Sequence, residues 1–140
     1  MAKWLMKSEP DVFGYPDLVK KGREEWHSVR SYAARNNMKA MKLGDEAFFY
    51  HSNIGKEIVG IMKVIALAHP DSTAEPNDKG KIIWECVDVA PVKPLKTPVT
   101  LEQVKTVPGL ENLALIKYSR LSVQPVTDRE WSIICKLGGL

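Results

Sequence analysis

Three short stretches carry side chains suited to holding a flat heteroaromatic ring. WHSVRSYAARNN supplies Trp26, His27, Arg30, Tyr32, Arg35, Asn36 and Asn37. KSEP places Lys7, Ser8 and Glu9 just after Trp4, and YHSN supplies Tyr50, His51, Ser52 and Asn53. Aromatic faces stack on nucleobases, at about 1–3 kcal/mol per base. Hydroxyls, amides and arginine read base edges, while lysine and arginine neutralise phosphates. A pocket that combines these groups can hold one extruded base and test its substituents. Plainer roles compete: Trp26 and Tyr32 as core, Arg30 as a surface ion-pair partner, His51 as a hydrogen-bonded strand end. Residue types alone support a base or nucleotide pocket and go no further.

Chemistry of other kinds finds little footing. The phosphate-binding lysine loop, the dinucleotide glycine fingerprint, the nucleophile elbow and the metalloprotease helix signature are all missing. Three histidines (His27, His51, His69) and two cysteines (Cys86, Cys135) fit no usual ligand spacing, so no metal, cofactor or catalytic residue is expected. Apolar content of 44% and charged content of 26% over 140 residues are globular values and suit one domain, residues 1–140. The formal charge of +3 does not by itself indicate nucleic acid. Its distribution says more: between Lys20 and Lys42, seven basic residues (Lys20, Lys21, Arg23, Arg30, Arg35, Lys39, Lys42) face only Glu24 and Glu25. The start, MAKWLMKSEP, does not read as a signal peptide, and no apolar run reaches membrane-span length. The expected location is cytoplasmic, or nuclear if the source is eukaryotic.

The elements that must position these groups can be read from punctuation and pattern. Residues 2–7 form a strand ended by Ser8-Glu9-Pro10. Pro16 and Gly22 bracket a short helix, and Ser31 caps a second over 31–42, with Tyr32, Met38 and Met41 as apolar contacts. Strands follow at 46–52, 57–67 and 81–89, the last after the polar loop HPDSTAEPNDKG, which reads as the most mobile segment. Thr100-x-x-Gln103 and Thr127-x-x-Glu130 are capping boxes for helices, with a strand at 119–124 between them. Links between strands are mostly too short for helical crossovers. The class is therefore α+β: a curled, mostly antiparallel sheet or small barrel with flanking helices.

The order of these segments resembles the EVE domain family, a branch of the PUA-like superfamily. The stretches that carry the likeness are WLMKSEP, W-x-x-V-R-x-Y-x-A-R-N, AMKLGDEAFFYHSN, IVGIMKV, HPDSTA, IIWECVDV and RLSVQPVT-x-x-E-W, which together span essentially the whole chain. The resemblance implies a pseudo-barrel of five to six strands, and a binding module related to YTH and ASCH domains that reads modified bases, notably modified cytosine, in DNA or RNA. Carried over by position, the pocket draws on Trp4, Ser8, Glu9, Trp26, Val29, Arg30, Tyr32, His51, Ser52 and Arg120. Two departures stand out: Ser28-Val29-Arg30-Ser31 replaces the family's frequent Gly-Val-Arg-Asn, and His27 stands where an acidic or small residue is common.

The leading expectation is a non-catalytic reader of a cytosine-derived base, stacked by Trp26 or Tyr32 and read by Ser8 and Ser52, with Lys7, Arg30, Arg35, Lys39 and Lys56 on phosphates. An enzyme using His27 and His51 as general acid and base is one alternative. A small-metabolite or protein-interaction module on the same fold is another.

Overall fold

Phe48 and Phe49 are both fully buried, although neighbouring side chains on a strand point to opposite faces. The sheet must therefore be covered on both sides. A computed structural model, which describes residues 1–140, shows how. The order along the chain is β1 (Lys3–Ser8), α1 (Pro10–Phe13), α2 (Tyr15–Lys21), β2 (Glu24–Glu25), α3 (Tyr32–Ala40), β3 (Glu46–His51) and β4 (Glu57–Pro70). Then come β5 (Glu85–Thr100), α4 (Leu101–Thr106), α5 (Ala114–Lys117), β6 (Val123–Val126) and α6 (Asp128–Leu137).

The strands form one curled, unclosed sheet in the order β2-β5-β4-β3-β1-β6. Only β1 and β3 run parallel; the other pairings are antiparallel. One apolar cluster takes Trp4, Met6, Ala47, Phe49, Met62 and Val64 from one face and covers them with Leu18, Met38 and Trp26. The other takes Leu5, Phe48, Tyr50 and Ile61 and covers them with Val104, Leu113, Trp131 and Ile134. The Trp131 ring lies nearly flat on Phe48, centroids 3.8 Å apart. Strand alternation thus sorts one continuous apolar run into two cores.

The α+β class and the mostly antiparallel, curled sheet are as expected from the sequence. The third central strand differs in extent. It starts at Glu85 rather than residue 81 and runs on to Thr100 through Pro91, Pro94 and Pro98. Beyond Val89 no strand pairs with its outer side, where only Lys96 and Thr97 N–H find a partner in the Gly138 carbonyl, so prolines without an N–H are tolerated there. Register shifts between β4 and β5 bend the pair and curl the sheet.

Gly60 interrupts β4 where its register against β3 and β5 shifts. The Tyr15 ring fills the space a side chain would take. Its hydroxyl donates to the Ile61 carbonyl at 2.8 Å, and its backbone N–H donates to His51 Nε2 at 3.1 Å. These contacts fasten the start of α2, and α1 before it, to the sheet. A Cβ at residue 60 would drive into the ring. Gly60→Ala is accordingly expected to lower the free energy of unfolding by about 1–3 kcal/mol, measured by urea denaturation. An unchanged midpoint would mean that Tyr15 is not held against the strand.

Candidate functional site

Beside the end of β1, a cavity of about 320 Å³ opens between two short backbone segments. One wall is α1, contributing Val12 and Phe13. Ser8 fixes that wall, since its hydroxyl donates to the Phe13 carbonyl at 2.6 Å. The opposite wall is the segment from Glu24 to Arg30. It is tied down where β2 pairs with β5 and where Trp26 N–H donates to the Val87 carbonyl at 2.8 Å. Lys7 and Ser122 complete the lining. Trp26 is 6% exposed and packs edge-on against Phe49 at 5.3 Å, so its position is set by the core beneath.

Beyond Trp26 the wall is organised by Asp71, a carboxylate only 1% exposed. It accepts from Ser28 N–H at 2.7 Å, from Arg30 Nη1 at 3.1 Å, and from the Thr73 amide and hydroxyl at 2.7 and 2.6 Å. Burial pushes this carboxyl up, but the Thr73, Ser28 and Arg30 donors outweigh it and hold it below the usual value. The ionised group in turn fixes Ser28 at φ +71°, a left-handed conformation that favours glycine. Such a backbone suits the glycine that the family resemblance implies here, and Ser28 holds the conformation through the Asp71 bond. At the end of the same stretch, the Ser31 hydroxyl caps α3 by accepting from Ala34 N–H at 3.3 Å, so the departure there keeps a helix cap.

The formal charges in the lining nearly balance. Lys7 and Arg30 stand against Glu24 and Glu25. Lys7 Nζ donates to the Ser119 carbonyl at 2.7 Å, and partial burial lowers its pKa. Arg30 is committed to Asp71, the Val29 carbonyl and Thr73. Phe13, Trp26 and Val29 add apolar surface, and Ser8, His27, Ser28 and Ser122 add hydrogen-bonding groups. A neutral, flat, polar-edged ligand suits this lining better than a free anion.

Of the residues expected at the pocket, Ser8, Trp26, Val29 and Arg30 line this cavity, as does Lys7 from the phosphate set. Trp4 does not: it is core, with its indole N–H donating to the buried Asp45 at 3.1 Å. Glu9 is exposed ahead of α1 and accepts from the Asn53 side chain. Tyr32 is 60% exposed and rests on Trp84, outside the lining and outside the core contact expected of it. Ser52 touches the site only through its N–H, which donates to the Ser8 carbonyl. Arg120 is exposed, two residues before the lining residue Ser122. Arg35 lies over Tyr32, Lys39 pairs with Glu85 at 3.5 Å, and Lys56 sits in the β3–β4 turn.

His51 is a positioning residue beneath α2. Its Nε2 accepts the Tyr15 N–H, so the proton of the neutral ring is assigned to Nδ1. It lies outside the cavity lining that contains His27, which separates the two histidines of the acid–base alternative. Sequence reasoning missed Phe13, Glu24, Glu25, Ser122 and the anchor Asp71. The Asp71-x-Thr73 spacing was the available signal, since Asp and Thr side chains commonly close such turns. The loop expected to be mobile is pinned at this end.

Glu25, His69 and Cys86 bring their ligand atoms within 4.8 Å of one another. Hydrogen bonds already occupy both His69 nitrogens and one Glu25 oxygen. His69 contacts Asp88 at 2.7 Å through Nε2 and the Pro70 carbonyl at 3.0 Å through Nδ1. The Asp88 bond raises the His69 pKa, and burial pushes the Cys86 thiol up. With both His69 nitrogens committed and the Cys86 thiol held protonated, the trio makes a poor ligand set.

The curled, unclosed six-stranded sheet with short flanking helices is a PUA-like fold. The chain belongs to the EVE domain family, whose model matches residues 2–137. It is 39% identical to thymocyte nuclear protein 1 of Mus musculus, across 96% of this chain and 72% of that protein. A crystal structure of a protein from Agrobacterium tumefaciens is 49% identical with a TM-score of 0.94, covering 100% of this chain and 94% of the other. The human THYN1 protein, crystallised in complex with 5-methylcytosine-containing DNA, is 34% identical with a TM-score of 0.90, covering 100% and 99%. No helix here is long and apolar enough to cross a membrane.

Two histidines give the fold opposite pH dependences on either side of 6.5. Burial lowers the His51 pKa despite the nearby Glu57 and Asp17 carboxylates, so the unfolded chain binds the proton more readily. Its contribution is complete above the ordinary value of 6.5 and is lost as pH falls through the folded pKa. His69 is raised, so its contribution is complete below 6.5 and is lost as pH rises through its folded pKa. Urea unfolding of His51→Gln across this range should show a flatter acid side with the alkaline side kept. An acid side as steep as that of the wild type would contradict the assignment.

Proposed function

We propose that this chain is a non-catalytic reader of a modified, cytosine-derived base in DNA, acting as one EVE domain over residues 1–140. The observation that carries the reading is the near-neutral cavity, with apolar walls from Phe13, Trp26 and Val29 and polar groups from Ser8, Ser28 and Glu25. Carboxylates accept from the cytosine amino group, and apolar side chains favour a methyl at carbon 5. Glu25 has one oxygen engaged by Ser72 N–H at 2.7 Å and is the leading acceptor for that amino group. The human THYN1 complex with 5-methylcytosine-containing DNA supports both the ligand class and the choice of DNA. The engagement of His51 by Tyr15 supports binding over acid–base chemistry.

Lys7 and Arg30 at the cavity, with Arg35 and Lys39 on α3, serve the adjoining phosphates in this reading. Affinity should then fall as salt rises, through release of counterions.

Three single-stranded oligonucleotides that differ at one base test it: cytosine, 5-methylcytosine and thymine. One buried methyl is worth about 0.8 kcal/mol, so 5-methylcytosine should bind about fourfold tighter than cytosine. Thymine keeps the methyl and lacks the amino group, and should bind more weakly than 5-methylcytosine by about 1 kcal/mol or more. Glu25→Gln should narrow the second difference and leave the first. Equal affinity for all three in the wild type would overturn the reading, and an oligonucleotide altered after incubation would replace binding with turnover.

A further inference from the structure

Outside the cavity, the first residue of α3 and the residue before β5 meet in an aromatic pair, Tyr32 exposed and Trp84 half-buried. Tyr32 is 60% exposed, and its ring centroid lies 5.0 Å from that of Trp84 at an interplanar angle of 32°. The Arg35 guanidinium lies 5.0 Å from the Tyr32 ring and 6.0 Å from the Trp84 ring. Arg35 is itself held, donating to the Ile83 carbonyl at 3.1 Å and to Asn36 Oδ1 at 2.9 Å. Arg30 lines the cavity and also reaches Trp84, with its guanidinium 5.7 Å from the ring. The pair is thus continuous with the cavity through one arginine.

A ring pair exposed at Tyr32 and flanked by two fixed guanidinium groups has the parts that a single strand needs: a π-face for a base and cations for its phosphate. We propose that Tyr32, Trp84 and Arg35 form a second subsite, which stacks the base of the nucleotide adjoining the one in the cavity. The proposal rests on the reader function and deepens it. The cavity would test the modification; the platform would add affinity blind to it, because every base has a π-face. Prior fixation of Arg35 and the ring pair reduces the side-chain ordering that binding would otherwise require.

The test uses the wild type, Tyr32→Ala, Trp84→Ala and Tyr32→Phe. Each is titrated with short single-stranded DNA carrying a central cytosine or 5-methylcytosine, and with the free nucleoside 5-methyldeoxycytidine. Both alanine variants should bind both strands about fivefold or more weakly, by the same factor for each strand. Nucleoside binding and the methyl preference should be unchanged, and Tyr32→Phe should match the wild type. Wild-type strand affinity in Tyr32→Ala, at an exposed position where folding is not at risk, would overturn the platform. Loss of nucleoside binding in that variant would also overturn it, by placing Tyr32 at the cavity itself. If the wild type shows no methyl preference, the reader function fails. Equal weakening of both strands by the alanine variants would then still establish the platform.

Discussion

Phe49 is the ring on which the site depends. It is fully buried in β3, and four other rings lean on it: Phe13 at 6.3 Å, Tyr15 at 5.5 Å, Trp26 at 5.3 Å and His51 at 5.4 Å. Phe13 and Trp26 belong to opposite walls of the cavity, while Tyr15 and His51 fasten α2. One side chain therefore sets the spacing between the walls. Three of the contacts are edge-on, the arrangement aromatic quadrupoles prefer, and tight packing leaves such a cluster few alternatives. Walls so short, with little secondary structure of their own, depend on this kind of support to hold their spacing.

Electrostatics complete what packing begins. Asp71 is buried and ionised, and its donors come from three residues on two chain segments. A buried carboxylate is tolerable only when it is bonded on all sides, and those same bonds fix the backbone of Ser28 and the head of Arg30. Their cations and carboxylates leave the cavity close to neutral. In the proposed reading an uncharged base suits this near-neutral lining, while Arg35 and Lys39 on α3 add positive charge outside it.

The sequence made the strands legible where both faces are buried, because apolar runs such as Ala47–Tyr50 have no other stable use. Capping boxes located α4 and α6 for a local reason: their hydrogen bonds lie within four residues. The long β5 was hidden by its three prolines, whose tolerance depends on being an outer edge, a property of the assembled sheet. In the site, Ser8, Trp26 and Arg30 could be named from residue type and family likeness. Phe13, Glu25 and Asp71 could not, since their roles come from loops that meet only in the fold. Tyr32 shows the reverse case: an aromatic on a helix whose partner, Trp84, lies far along the chain and turns it outward.

The central claim is that the cavity between α1 and residues 24–30 receives the modified base. The most direct measurement is an NMR titration of the labelled protein with 5-methyldeoxycytidine. Shift changes are expected to concentrate at Ser8, Phe13, Glu25, the Trp26 indole and Ser28, with the Trp131 face silent. Changes centred away from those residues, or none at saturating nucleoside, would contradict it.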